Sequence, residues 1–312
     1  MAKKVLLILG VCLLILLFLG SFWFGCFLRQ NFFQSIADQD GRTNFFLLGI
    51  NGSGAIDTDL TDTMIFVSIN SRTGKLVLLS IPRDLWIKEI QAKVNTAYHY
   101  GGFDLAKKTA LEVLGQKIDY ILVLNFDGFE KAIDILGGIE VEVDRSFDDY
   151  KYPIEGKEKD LCDGDKEFKC RYEHVHFEAG WQKMDGATAL KFVRSRNAEG
   201  DEGTDFARSQ RQQKLISSFR NELVSPDFYL HLTKVYQLGQ VFQASVKTDI
   251  ERRQYGSFLF LIPKINWKDV KSNSLIEDLL IHPKSHYSKQ WVLVPKSNDW
   301  KEIQGFVGNL LK

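Results

Sequence analysis

Hydrophobic and polar positions divide the chain into two unlike parts. Residues 5–28 form an uninterrupted run of 24 residues without a charge. As a helix rising about 1.5 Å per residue, such a run reaches across a hydrocarbon layer of roughly 30 Å. From residue 44 onward the pattern becomes that of a mixed α/β domain. Strand-like segments at 44–51, 64–70 and 75–81 come first, the last two joined by Ser71-Arg-Thr-Gly74 as a hairpin turn. Helix-like segments at 104–114 and 128–136 alternate with apolar strands at 120–125 and 139–143. Asp185 is placed to cap a helix that follows it, and a longer helix spans 205–223. A strand at 291–295 precedes an amphipathic helix that Asn298 would cap, with Ile303, Phe306, Val307 and Leu310 on one stripe. This alternation predicts an α/β fold, a central mixed sheet with helices on both faces.

The apolar run sets the expected topology. It is too long for a signal-peptide core and no A-x-A site follows it, so a retained signal anchor is expected. Cys26 follows Gly25, but Trp23 and Phe24 do not suit a lipoprotein cleavage site. The expected organisation is a cytoplasmic tail at 1–4, a membrane span at 5–28 and a polar linker at 29–43. An extracytoplasmic domain then fills 44–312, with an insertion at 145–176. The chain is neutral, with 40 basic and 40 acidic residues. Setting aside Lys3 and Lys4 leaves 38 basic residues against 40 acidic ones after the span, a net of −2 that offers no field for nucleic acid. Cys162 and Cys170 flank a charged turn. Two readings stay open for them: a local disulfide suited to an exported domain, or a metal site shared with His174 and His176.

Candidate chemistry gathers in a few places. Arg194 and Arg196 lie two apart, which in an extended segment turns both guanidinium groups to one side. On the next helix Arg208, Gln212, Leu215, Phe219 and Leu223 share a face, setting Arg208 and Gln212 at the edge of the core. Converging arginines suit a phosphate or pyrophosphate, because each planar fork donates two parallel hydrogen bonds. Pro82 ends a strand and leaves Arg83 and Asp84 at its tip, where open sheets bind ligands. Asp62 precedes another strand, a place for a hard-metal ligand. Asn95, Tyr98 and His99 lie nearby in sequence, with His99 read as structural. No G-x-S-x-G, H-E-x-x-H or Walker loop occurs.

Seven segments in register resemble the LytR–CpsA–Psr family of cell-envelope glycan phosphotransferases. They are Phe46-Leu-Leu-Gly49, Thr61-Asp-Thr-Met64, Ser80-Ile-Pro-Arg-Asp84, Lys93-Val-Asn-Thr-Ala-Tyr98, Leu136-Gly-Gly-Ile-Glu-Val141, Met184-Asp-Gly-Ala-Thr-Ala-Leu190 and the arginine stretch ending Arg208-Ser-Gln-Arg-Gln-Gln213. The resemblance implies transfer of a glycan phosphate from a polyprenyl-pyrophosphate carrier to peptidoglycan at the membrane. It implies that Arg83, Arg194, Arg196, Arg208 and Gln212 bind the pyrophosphate. Asp62 matches the ligand of Mg2+ (or Mn2+), and either Asp62 or Asp84 would take the acceptor proton. An apolar groove would receive the prenyl chain. The sequence departs from the family at Asn51, where an aspartate is usual and a carbonyl oxygen remains to offer a metal, and at Leu60, where an arginine is frequent. Asp57 and Asp59 stand close enough in sequence to compensate. The other readings are a polyprenyl-pyrophosphate hydrolase and a non-catalytic envelope protein that binds lipid carriers.

Overall fold

Side-chain alternation in the first strand, β1 (Arg42–Ile50), sets up both halves of the core. Phe46, Leu48 and Ile50 face one side of the sheet, Phe45 and Leu47 the other, because successive strand residues point to opposite faces. The computed structural model describes residues 34–38, 40–50, 59–157, 159–267, 269–275 and 279–312. The span expected at 5–28 lies outside these residues, as do Asn51 and Asp57. Among the described residues no helix is long and apolar enough to cross a membrane.

From β1 the chain runs antiparallel into β2 (Thr61–Asn70) and, through the turn at 71–74, into β3 (Leu76–Ser80). A ribbon of β4 (Trp86–Ile87) and β5 (Ala92–Lys93) follows, and β6 (Tyr120–Asn125) returns to pair with β1 in parallel. Next come β7 (Ile139–Val143), β8 (Phe147–Pro153), β9 (Tyr172–Phe177) and β10 (Gly180–Met184), which pair as β7 with β10 and β8 with β9. With β11 (Val246–Thr248) and β12 (Val270–Ser274) the main sheet has the order β11-β6-β1-β2-β3-β12. Its β1–β6 and β3–β12 pairs are parallel and the rest antiparallel, so the mixed sheet is as expected. Finally β13 (Leu280–Ile281) pairs with β14 (Val294–Pro295), all that forms of the strand expected at 291–295.

The helices are α1 (Ala97–Leu114), α2 (Phe126–Leu136), α3 (Gly186–Arg194), α4 (Asp205–Leu223), α5 (Pro226–Leu230), α6 (Leu232–Ser245), α7 (Tyr255–Leu261) and α8 (Lys301–Leu310). On the Phe46 side, α1 and α8 pack through Ala106, Ala110, Val113, Ile303 and Val307. On the Phe45 side, Ile216 of α4 and Phe258 and Leu261 of α7 cover the sheet. Helices thus lie on both faces, and each fully buried Phe or Leu contributes roughly 1.5–3 kcal/mol over its exposed state. A separate cluster of Ile133, Val141, Phe147, Met184, Phe192 and Leu215 joins α2, α3 and α4 to the two smaller sheets.

Local chemistry explains the helix ends. Asp185 caps α3 as expected, its carboxylate accepting the Thr188 N–H at 2.8 Å. Gly186 lies where α3 meets α2, and a Cβ there would stand 2.3 Å from the Glu130 carbonyl oxygen. The expected cap at Asn298 does not form. Asn298 takes a left-handed conformation (φ 61°), Trp300 occupies the cap position, and Asp299 accepts the Lys301 N–H at 3.0 Å. Asn298 and Asp299 are both short polar side chains able to bond a helix start, and the nearer one, Asp299, takes the bond.

Candidate anion-binding site

One end of the main sheet carries the site. β3 stops at Ser80, and Pro82, lacking an N–H, keeps the ladder from continuing. Arg83 and Asp84 therefore stand at the strand end, level with Asp62 near the start of antiparallel β2. Arg83 Nη1 donates to Asp62 Oδ1 at 2.5 Å, and its Nε lies 3.5 Å from Asp84 Oδ2. Lys93 Nζ donates to the other oxygen of Asp84 at 2.6 Å. Burial alone would lower the Arg83 pKa, but its ion pairs with Asp62 and Asp84 outweigh this and hold it above the usual value.

The facing wall comes from the segment after α3. Arg194 and Arg196 were expected on one extended stretch. Instead Arg194 is the last residue of α3, and the chain turns at Ser195 before Arg196. Both still reach the cleft, Arg194 with its guanidinium 4.4 Å from the centre of the Phe126 ring. Asp149, fully buried on β8, fixes this turn. Its Oδ2 accepts the Ser195 hydroxyl at 2.5 Å and the Arg196 and Asn197 N–H groups at 3.2 Å each. Arg211, only 3% exposed, ties the same turn to α4 by donating to the carbonyls of Phe192 (3.0 Å) and Ser195 (2.7 Å) and to the Glu202 carboxylate (2.8 Å). Arg208 and Gln212 extend into the cleft from α4, as their helical spacing predicted, while Leu215 anchors that face in the core. Gln212 Oε1 accepts the Ser80 hydroxyl at 3.2 Å, linking helix to strand end.

Arg83, Asp62, Asp84, Arg194, Arg196, Arg208 and Gln212 therefore line one cleft of about 380 Å³. Lys151 and Tyr172 from the β8–β9 hairpin, Asn197 and Trp291 complete it. Sequence reasoning missed these four: Lys151, Tyr172 and Trp291 come from segments far from the arginines in the chain, and Asn197, next to Arg196, carries no charge to mark it. The lining holds five cations (Arg83, Lys151, Arg194, Arg196, Arg208) against two carboxylates (Asp62, Asp84), an excess of three positive charges. Burial, then repulsion from Arg83 and Arg208, pushes the Arg196 guanidinium down to about 10, so it stays cationic at neutral pH. Cations crowded this way in a neutral chain make a site for a multiply charged anion. Mg2+ is ordinarily held by one or two carboxylates together with phosphate oxygens of a substrate. Asp62, on the cleft wall, pairs with Arg83 through Oδ1 and would offer Oδ2 as such a donor, whereas Arg83 and Lys93 engage both oxygens of Asp84. The residues present thus suit a metal held jointly with a phosphate ligand.

Cys162 and Cys170 form a disulfide, with Cα atoms 5.5 Å apart. The alternative metal set is thereby excluded. His174 and His176 instead flank the Asp148 carboxylate at 2.6 and 2.8 Å. His99 is exposed against Tyr100 and does not line the cleft.

A mixed-sheet α/β domain with an arginine-lined cleft at one sheet end defines the class. The chain belongs to the LytR_cpsA_psr family, which it matches over residues 28–304. It is 28% identical over 232 residues to the polyisoprenyl-teichoic acid–peptidoglycan teichoic acid transferase TagU of Oceanobacillus iheyensis. That match covers 72% of this chain and 63% of the relative, so the chain spans less than two thirds of the relative's length. The fold is shared with a solved Streptococcus agalactiae protein (TM-score 0.61, 23% identity, 86% of this chain and 88% of that one). It is also shared with Bacillus subtilis TagV (TM-score 0.60, 21% identity, 88% and 98%).

Proposed function

We propose that this domain transfers a glycan phosphate of the teichoic acid class from a polyprenyl-pyrophosphate carrier to peptidoglycan. The observation that carries the proposal is the cleft's excess of three positive charges, set by cations from the end of β3, from β8, from α3 with the turn after it, and from α4. The name of the Oceanobacillus relative supports the same chemistry. In the reaction an acceptor hydroxyl of peptidoglycan attacks the phosphorus next to the glycan. The new P–O bond forms as the bridging P–O bond breaks, and polyprenyl phosphate leaves with the bonding pair. Such a transfer depends mainly on positioning and on neutralising charge. Arg83, Arg194, Arg196 and Arg208 bind the diphosphate, and Gln212, braced on Ser80, orients it. Asp62 would hold Mg2+ (or Mn2+), which when bound adds positive charge beside the phosphate oxygens. Asp84, held between Arg83 and Lys93, takes the hydroxyl proton. The uncharged run at 5–28 would anchor the chain with its N-terminus cytoplasmic, and the tether would keep the cleft near a lipid-borne donor.

The test uses the full chain in lipid vesicles with a short-chain prenyl-pyrophosphate sugar, magnesium and a soluble peptidoglycan fragment, with products followed by mass spectrometry. An acceptor carrying the sugar phosphate together with free prenyl phosphate is the expected result. Arg83→Ala and Arg194→Ala should each lower turnover at least tenfold, about 1.4 kcal/mol of transition-state stabilisation. Near-normal turnover in both variants would sink the site assignment, and prenyl phosphate without a modified acceptor would favour a hydrolase.

A further inference from the structure

Helix α6 has an outer face unlike the rest of the domain. Over its 14 residues the only charged side chain is Lys234, and none of its residues is buried. Lys234 is turned inward, donating to Asp227 Oδ2 at 3.0 Å and to the Leu136 carbonyl at 3.3 Å. Leu238 also faces inward, against the cluster that holds Ile133 and Leu136 of α2. What remains for the outside is Leu232, Val235, Tyr236 and Phe242, with Gly239 between, at spacings of three, one, three and three residues. These positions fall on one stripe. Leu232 is 76% exposed, Tyr236 68%, and Leu230 just before the helix 80%. Of the polar residues around it, Thr233, Gln237 and Gln240 lie beside the stripe and Gln243 falls within it, and all are uncharged. A helix face turned to water ordinarily carries charges. A contiguous apolar stripe without any marks a surface that meets something else.

The position of the stripe says what it meets. The Gln34 N–H donates to the Arg253 carbonyl at 2.8 Å, and the Gln34 carbonyl accepts the Ser257 hydroxyl at 2.7 Å, so the chain enters the domain along α7. Tyr255, the first residue of α7, packs edge-on against Phe242 at 6.1 Å between ring centres. α7 also exposes Phe260, and Ile262 follows it, also exposed. The end of the uncharged run at residue 28 is six residues from Gln34, a reach of at most roughly 20 Å. α6 itself is about 21 Å long. The apolar stripe therefore starts beside the point where the tether arrives and has about the same length as the tether's full reach.

We propose that the outer face of α6, with Leu230 just before it, lies in the interface of the membrane that anchors the chain, a lipid surface being its partner. Leu and Phe would sit at the acyl boundary and Tyr236 at headgroup level, as in interfacial helices. The absence of lysine and arginine from the stripe makes the contact one of apolar burial, not of attraction to anionic headgroups. A domain held at two places, tether and helix face, cannot swing freely, so its cleft stays at a fixed height and orientation over the bilayer. This inference rests on the anchoring reading above and adds a second contact to it.

The test is photo-crosslinking of the full-length protein in phosphatidylglycerol vesicles that carry a phospholipid with a photoactivatable acyl chain. After irradiation, peptide mass spectrometry maps the lipid adducts. Adducts within 230–242 as well as within 5–28 are expected. The double variant Leu232→Glu, Tyr236→Glu should lose the 230–242 adducts and keep those at 5–28; both positions are exposed, so the fold is undisturbed. Adducts at 5–28 but none at 230–242 in the unmodified chain would overturn the inference while leaving the anchor intact. Adducts at neither place would overturn both. A chain that gives no adduct at 230–242 but changes from dimer to monomer in the double variant would assign the stripe to a second copy instead.

Discussion

Asp149→Asn probes the turn that presents Arg196. The carboxylate is fully buried and its Oδ2 accepts from the Ser195 hydroxyl, the Arg196 N–H and the Asn197 N–H, while Oδ1 accepts the Lys151 N–H at 2.9 Å. A hydrogen bond to a charged acceptor contributes about 1.5–3 kcal/mol, and a buried donor left without an acceptor costs about 1–3 kcal/mol. Asparagine keeps the shape but offers one carbonyl oxygen and sets an NH2 group against donors on the other side. Because two of the four bonds are long, the low end of each range applies, and a loss of about 2–4 kcal/mol in stability is expected. The turn would relax, and the Arg196 guanidinium would lose its fixed place in the cleft. Affinity for inorganic pyrophosphate, used as a probe, should weaken at least about tenfold, equal to about 1.4 kcal/mol. Urea denaturation and titration calorimetry on the same protein measure the two effects. An Asp149→Asn protein with unchanged urea midpoint and unchanged pyrophosphate affinity would refute the positioning role.

Three further outcomes follow from other parts of the molecule. Gly186→Ala places a methyl group within 2.3 Å of the Glu130 carbonyl oxygen, so α3 must shift from α2 at a cost of about 1–3 kcal/mol, read from the urea midpoint. Reducing the Cys162–Cys170 disulfide frees a link across eight positions, about 2.5 kcal/mol of chain entropy; hydrogen exchange should quicken within 154–171 while the main sheet stays protected. Burial, then the neighbouring Glu89, pushes the Glu112 carboxyl up to about 7 against the opposing hydrogen bond from Trp300 Nε1 at 2.8 Å. A carboxyl with a raised folded-state pKa favours folding only while protonated. Its contribution is therefore full below its ordinary value of 4.5 and lost as pH rises to about 7. Glu112→Gln should flatten the fall in stability across that interval, and an equally steep fall in the variant would show that another group is responsible.

The residues that could be recognised in the sequence and those that could not differ in how they act. Arg83, Arg208 and Gln212 stand in short segments whose strand-end position or helical spacing already turns them toward a ligand, and the cleft gathers all three; Arg194 reaches it too, but from the end of α3 and not from the extended stretch its spacing suggested. The mixed sheet was legible for a similar reason, since Phe45 and Phe46 begin an alternation that continues across β2 and β3. Asp149 had a weaker signal. Between Phe147 and Tyr152 it looked like one of several acidic residues in an insertion, although strand alternation puts it on the same side as Phe147 and turns Asp148 outward. Arg211 precedes Leu215 by four residues and so faces the core, but nothing local says that its partners would be the carbonyls of Phe192 and Ser195. Both residues act on backbone groups distant in sequence, and backbone partners leave no mark on residue identity. The same distinction bears on the insertion. Lys151 and Tyr172 reach the cleft because β8 and β9 pair next to the turn that Asp149 holds, so a segment that looked like an addition supplies one wall of the site. A change in the hairpin, far from every arginine in sequence, should therefore weaken pyrophosphate binding in titration calorimetry, as a change in the arginines does.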